Sequence, residues 1–189
     1  MIERCPWTTN NELMIKYHDT EWGVPVYDDI KLFEFITLDA FQAGLSWSIV
    51  LKKREAFREA FSNFNPEIVS RFDDKKVEEL INNPAIIRNK LKIKATVENA
   101  KSFLKVQKEY GSFSNFIWKY VDGKPIVNKW MDIKEIPPRT ELSDKMSKDL
   151  KKIGFKFVGS TICYAFMQAA GLVNDHLVNC FRYEQVKIL

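Results

Sequence analysis

The chain has 189 residues, 46% of them hydrophobic and 29% charged, and a net charge of +4. That length supports a sizeable core, and the balance of apolar and charged residues excludes a disordered chain. The small charge excludes a uniformly basic surface, although lysines gathered on one face still suffice to bind phosphates.

Helical periodicity dominates. From Asp29 to Ala43, the residues Leu32, Phe33, Phe35, Ile36, Ala40 and Phe41 recur at three- and four-residue steps and predict a helix with a wide buried face. Gly44 interrupts it, and a second pattern runs from Ser46 to Phe61 through Ile49, Val50 and Phe57. Asn65-Pro66 reads as an N-cap with a first-turn proline. Asp73 or Asp74 caps the next helix, which carries Val77, Leu80 and Ile81. After Pro84 a long pattern extends to Tyr110, with Ile86, Ile87, Leu91, Ala95, Ala100, Phe103 and Leu104 expected inward and lysines outward. Gly111 closes it and Ser112 caps a short successor. Asp122-Gly123 marks a turn, and residues 124–139, with Pro125, Pro137 and Pro138, form the longest expected irregular connection. A helix over 142–153 stops at Gly154, and Ser160 caps a final helix ending near Gly171. Strand-like alternation, repeats and low-complexity linkers are absent, so the expected class is all-α. A single domain over 1–189, with two helical lobes, is expected.

The N-terminal residues lack the apolar stretch of a secretory leader and no apolar run reaches membrane-spanning length, so a cytoplasmic protein is expected. In that reducing setting the three cysteines read as thiols, with metal binding the first special role to weigh. His176 and Cys180, four residues apart, share one face of a helix or helical turn. Cys5 and His18 form a second pair near the N-terminus. Together they make a Cys₂His₂ set suited to tetrahedral zinc, and four protein ligands leave no open position, so the role is a structural staple joining the termini. The plainer alternative is a set of unligated core residues. Cys163, within the apolar run 161–166, reads as a buried small hydrophobe.

Residues 151–160 join two helices through a turn with glycine at each end, Gly154 and Gly159. Such a helix-hairpin-helix can aim backbone amides and a helix N-terminus at a phosphate, with Lys151, Lys152 and Lys156 as counter-charge and Phe155, Phe157 and Val158 as anchors. An ordinary αα-hairpin is the alternative. Trp7, Tyr17, Trp22 and Trp47 crowd the first quarter of the chain, near Asp19, Glu21 and Asp39. Such rings are core by default, yet they also suit an extruded nucleobase, above all one bearing positive charge. Asp39 shares a helix side with Phe35 and Ile36, so its carboxyl is expected in a partly buried place, needing either a local partner or a function; a solvent-facing helix residue is the alternative.

Blocks in the same order complete the picture: Tyr17-His18-Asp19-Thr20-Glu21-Trp22-Gly23-Val24-Pro25, Gln42-Ala43-Gly44-Leu45-Ser46-Trp47, Leu51-Lys52-Lys53-Arg54-Glu55, Gly154-Phe155-Lys156-Phe157-Val158-Gly159 and Gly171-Leu172-Val173-Asn174-Asp175-His176. With Arg4-Cys5-Pro6-Trp7 and Cys180, they resemble the bacterial 3-methyladenine DNA glycosylase I family nearly end to end. The resemblance implies a helix-hairpin-helix fold with zinc held by Cys5, His18, His176 and Cys180. It implies a monofunctional enzyme that flips 3-methyladenine out of alkylated double-stranded DNA and hydrolyses its glycosidic bond. Tyr17 and Trp47 match the base-contacting aromatics, Trp7 lines the same pocket, and Gly44-Leu45 match the segment that approaches the gap left in the duplex. Lys156 and Gly159 are the expected hairpin contacts to DNA. A monomer is expected.

Two departures stand out. Asp39 replaces a glutamate that bonds the methylated base, and Met14 replaces a pocket tyrosine of some members. Asp39 is nonetheless the expected catalytic residue. Rival readings are a non-catalytic module that binds alkylated DNA and a glycosylase/lyase with a lysine nucleophile, although no lysine shows a burial pattern that favours the latter.

Overall fold

Most helices of the computed structural model, which describes residues 2–187, begin where a short polar side chain accepts amide hydrogens of the first turn. Asn11 does so for α1 (Glu12–Thr20), Asp28 for α2 (Asp29–Gln42), Asn65 for α4 (Pro66–Val69) and Asp73 for α5 (Asp74–Asn82). Asn89 caps α6 (Lys90–Tyr110), Ser112 caps α7 (Phe113–Trp118) and Thr140 forms a capping box on α8 (Glu141–Ile153). By contrast, α3 (Trp47–Ala60) and α9 (Ser160–Ala169) start without a side-chain cap.

Helix α2 is the axis of the molecule. Every residue from Leu32 to Phe41 is buried, as befits a helix covered on all sides, and it packs against α3, α6, α7 and α9. At its C-terminal end Phe41 meets Phe57 with ring centroids 4.7 Å apart, continuing to Phe61 and Phe64. Nearer its N-terminus Phe33 packs on Phe103 at 5.1 Å, which stacks on Phe113 at 4.2 Å.

Four expectations change. The long pattern after Pro84 becomes helical only at Lys90, which turns Leu91 outward (69% exposed) and Lys92 inward (6%). Ser160 is the first residue of α9, not its cap; Gly159 holds the cap position, and the Ser160 hydroxyl bonds that of Ser143 at 2.8 Å. A further short helix, α10 (Arg182–Lys187), follows the one expected to be last. The chain is mostly helical, not purely so: β1 (Ile126–Val127) pairs in parallel with β2 (Val173–Asn174), in register Ile126 to Val173. Two residues per strand leave no periodic trace in a sequence, but they tie the irregular 124–139 connection to the segment that ends at His176. Among the described residues no helix is long and apolar enough to cross a membrane.

Candidate functional site

Helix α1 presents His18 on its last turn, and Cys5 precedes the short 3-10 turn Pro6–Thr8. The stretch after β2 supplies His176, and a non-helical turn closed by the Cys180 amide on the Leu177 carbonyl supplies Cys180. The four potential ligand atoms, all buried, lie within 4.8 Å of one another. Cys180 Sγ is 3.4 Å from His18 Nε2 and 3.6 Å from His176 Nδ1, and Cys5 Sγ is 3.7 Å from His176 Nδ1. Tetrahedral zinc at ordinary bond lengths sets sulfur–nitrogen edges of about 3.5 Å.

The outward nitrogens have partners of their own. His18 Nδ1 lies 2.7 Å from Asp19 Oδ1, and His176 Nε2 donates to the Trp22 carbonyl at 3.0 Å. That pattern leaves the inward nitrogens with free lone pairs, as a metal ligand needs, while Asp19 and the Trp22 carbonyl hold the two rings in place. Hydrogen bonding from Cys5 holds the Cys180 thiol well below its ordinary value despite burial, and the bond to Cys180 plus burial pushes Cys5 up. Cys163 stands apart, buried, with its thiol directed at the Val158 carbonyl.

Beside the cluster opens a pocket of about 280 Å³. Trp7, Tyr17, Trp22 and Trp47 supply aromatic wall; Asp39 and Gln42 come from α2, Ala165 and Gln168 from α9, and Ile133 and Ile136 from the irregular connection, with Met14 completing it. Tyr17 and Trp47 are 5.2 Å apart at 55°, and Trp7 meets Trp22 at 5.0 Å and 73°. Each pair is in edge-to-face or tilted contact, so the rings form a continuous wall and a flat guest lies against them, not between the members of a pair.

Asp39 sits 3% exposed at this wall, and its Oδ2 has no hydrogen-bond partner among the described residues. Burial pushes its carboxyl well above the usual range, against the opposing field of Arg54. The Tyr17 hydroxyl is likewise pushed up, by burial and then by Asp39. Trp47 Nε1 is a second buried polar atom without a partner among the described residues. An apolar pocket holding unpaired polar atoms is built for a ligand that pairs with them.

The neighbouring acids serve elsewhere. Asp19 holds Arg4 at 2.7 Å, and Glu21 accepts two bonds from Arg54, at 2.8 and 2.7 Å, which keep its carboxyl down near 2 despite burial. Arg54 also donates to buried Glu34 at 2.8 Å, bracing α3 against α2. Sequence reasoning missed Gln42, Ile133, Ile136, Ala165 and Gln168. Gln42 follows Asp39 by one turn and was legible on that spacing; nothing marked the isoleucines, which reach the pocket through tertiary folding alone. It also missed Lys92, which is buried after all. Its ammonium donates to two carbonyls, however, and Lys92 is absent from the pocket lining.

Two further features lie outside the pocket. Gly44, at φ +81°, turns the chain between α2 and α3 and leaves Leu45 40% exposed. Between α8 and α9, Gly154 adopts φ +118° and ends α8. Phe155 and Val158 anchor the hairpin, but Phe157 does not: it has φ +55° and is 38% exposed. Lys156 is bracketed by Asn99, its amide donating to Oδ1 at 2.7 Å and its carbonyl accepting from Nδ2 at 3.0 Å. With glycine at the cap position, no side chain occupies the first-turn amides of α9, and Lys151, Lys152 and Lys156 are exposed nearby.

Comparison with known proteins shows what the chain as a whole is similar to. The sequence model of a family described as methyladenine glycosylase matches residues 7–183. The chain is 50% identical over 182 residues to DNA-3-methyladenine glycosylase 1 of Escherichia coli, spanning 96% of this chain and 97% of that protein. It is 49% identical over 180 residues to the DNA-3-methyladenine glycosylase of Haemophilus influenzae, spanning 95% and 97%. A crystal structure of a 3-methyladenine DNA glycosylase I at 49% identity superposes with a TM-score of 0.93, covering 95% of this chain and 98% of that one. A structure of the Staphylococcus aureus 3-methyladenine DNA glycosylase I, concerned with its recognition of 3-methyladenine, also gives 0.93, at 38% identity and with 95% and 96% covered.

Proposed function

The chain belongs to the methyladenine glycosylase family, and on that premise we propose that it flips 3-methyladenine out of alkylated double-stranded DNA and hydrolyses its glycosidic bond. The observation that carries the chemistry is Asp39, a buried carboxyl with an unpaired oxygen at the wall of an aromatic pocket.

Methylation at N3 makes the nucleoside cationic and its base a good leaving group, so the pocket has chiefly to select, orient and desolvate. Tyr17, Trp47 and Trp7 offer ring faces that attract such a cation. Burial favours the protonated form of the Asp39 carboxyl, against the opposing charge of Arg54. That form offers one donor and one acceptor, which matches the N7 acceptor and N6 donor of adenine. Guanine presents two acceptors on that edge, and a single carboxyl proton satisfies one. Water attacks the anomeric carbon without a covalent enzyme intermediate. Gly44 and Leu45 enter the gap in the duplex, and the hairpin with Lys156 and Gly159 acts as a helix-hairpin-helix that holds a backbone phosphate at the start of α9.

The donor set of Cys5, His18, His176 and Cys180 fits zinc in number, type and spacing. Bound there, zinc supplies no chemistry: four protein ligands leave no place for water, and its work is to fix the terminal segments behind the pocket. The continuous burial along α2 supports reading the chain as one domain with lobes at either end of that helix.

Incubation with methylated duplex DNA and identification of every released base tests the proposal. Release of 3-methyladenine is expected. Tight binding without release would favour a damage-binding module, and a borohydride-trapped adduct a lyase.

A further inference from the structure

The first turn of a helix, beside the positive end of its dipole, is a costly place for a buried cation. Lys92 occupies that place as the third residue of α6. Its ammonium donates to the carbonyls of Phe41 at 2.9 Å and Ala43 at 2.6 Å. Both lie at the C-terminal end of α2, where a helix leaves its last carbonyls without amide partners. The intervening Gln42 carbonyl accepts the Leu45 amide at 2.6 Å. Every carbonyl from 41 to 43 is thereby tied, two of them by this one side chain.

The turn so tied has little else to hold it. A Cβ placed on Gly44 would meet nothing within 4 Å, and residues 44–46 are exposed. Asp39 lies one helical turn before the tied segment. A well-packed apolar side chain in place of Lys92 would avoid the cost of burying a charge but leave the carbonyls of Phe41 and Ala43 without their donor. Packing therefore gives no reason for an ammonium here, whereas a tether between two carbonyls does.

We propose that Lys92 is a positioning residue for duplex recognition, fixing the 43–45 turn so that Leu45 enters the gap left by the flipped nucleotide. Lys92 itself touches neither base nor reacting atoms. The inference rests on the reading of Gly44 and Leu45 as a duplex contact.

The test compares wild type, Lys92→Met, Lys92→Arg, Leu45→Ala and the double variant Lys92→Met/Leu45→Ala, on methylated duplex DNA and on free 3-methyladenine. Lys92→Met is expected to lower kcat/KM on duplex roughly 10- to 100-fold, with free-base affinity within about twofold of wild type. Lys92→Arg restores most of the loss, because a guanidinium keeps donors for both carbonyls. The double variant is no worse than the poorer single one, since both changes act through one turn. Free-base affinity falling in step with duplex activity would overturn the proposal, as would losses that multiply, or a borohydride adduct that vanishes in Lys92→Met. Should Lys92→Met fail to fold, Lys92→Gln carries the same comparison. Undiminished duplex activity in Leu45→Ala removes the duplex-contact reading and this inference with it. A wild-type protein that releases no 3-methyladenine instead overturns the proposed function.

Discussion

The carbonyl of Trp22 accepts a 3.0 Å hydrogen bond from His176 Nε2, while the Trp22 ring, 4.6 Å from that imidazole, forms part of the pocket wall. Trp22 thus belongs to both sites. Whatever fixes His176 also fixes an aromatic face of the pocket.

Metal removal is therefore expected to act on the pocket as well as on stability. Freshly purified protein should hold one zinc per chain by direct metal analysis, and a value near zero would sink the assignment. Stripping it with a chelator should lower Tm and weaken free 3-methyladenine binding together. Asp19→Ala, which frees the His18 ring, should weaken zinc retention roughly 10- to 100-fold, read by transfer to a colorimetric chelator. Unaltered retention would make Asp19 a mere partner of Arg4.

Asp39→Asn removes the carboxyl proton from the Asp39 pairing. An amide turned to accept from N6 still offers N7 its weaker donor, so loss is partial. Excision of 3-methyladenine should fall roughly 2- to 10-fold, the cost of about 0.5–1.5 kcal/mol for weakening a neutral hydrogen bond. Asp39→Leu should lose more. If both variants keep wild-type rate and free-base affinity, the pocket role of Asp39 is wrong.

The same carboxyl gives a pH signature in stability. Its folded pKa is raised by burial, against the opposing charge of Arg54, with the buried and likewise raised Tyr17 hydroxyl facing it. Between the ordinary aspartate value and the folded one, the native state holds a proton that the unfolded state has released. Stability therefore falls as pH rises through that window, and the full cost remains above it. Asp39→Asn carries no such cost. It should melt above wild type at pH 8, by roughly 2–4 °C for each kcal/mol relieved, and the gap should narrow as pH approaches 4. A gap independent of pH would show that burial of the ionised group is not its source.

At the hairpin, Lys156→Ala should weaken binding to methylated and unmethylated duplexes alike and reduce the salt slope by about 1. Free 3-methyladenine affinity should not change. An unaltered slope would remove Lys156 from the phosphate contacts. Asn99→Ala, which releases both sides of the Lys156 peptide, should mimic this loss without touching any charge.

Much of this was legible because local signals and tertiary needs agree. Asn65-Pro66, Asp73 and Ser112 cap the helices that their side chains predict. The central burial of α2 followed from its apolar positions, and Asp39 was conspicuous among them. Where local and tertiary demands diverge, the pattern misled: Leu91 looked inward until Asn89 set the helix phase and put Lys92 there instead. His176 and Cys180 are neighbours through a turn, although their spacing also fits a helix. Ile133 and Ile136 reach the pocket from a connection without periodicity, positioned in part by the two-residue strand pairing beside it.

Two glycines with similar φ should lose stability on substitution by alanine to very different degrees. Gly171 has φ +71°, and a Cβ there would lie 2.4 Å from the Pro25 nitrogen and from the Val24 carbonyl carbon. Backbone cannot yield as a side-chain tip does, so Gly171→Ala should cost more than about 3 kcal/mol and greatly lower Tm. Gly44 has φ +81° but an open surrounding, so Gly44→Ala bears the left-handed penalty alone, about 1–2 kcal/mol. If the 43–45 turn meets the duplex, Gly44→Ala should lose duplex excision out of proportion to its small change in Tm, because the added methyl stands where DNA approaches. Equal melting losses in the two variants would contradict the close packing at Gly171. Full duplex activity in Gly44→Ala would leave that turn without a part in recognition.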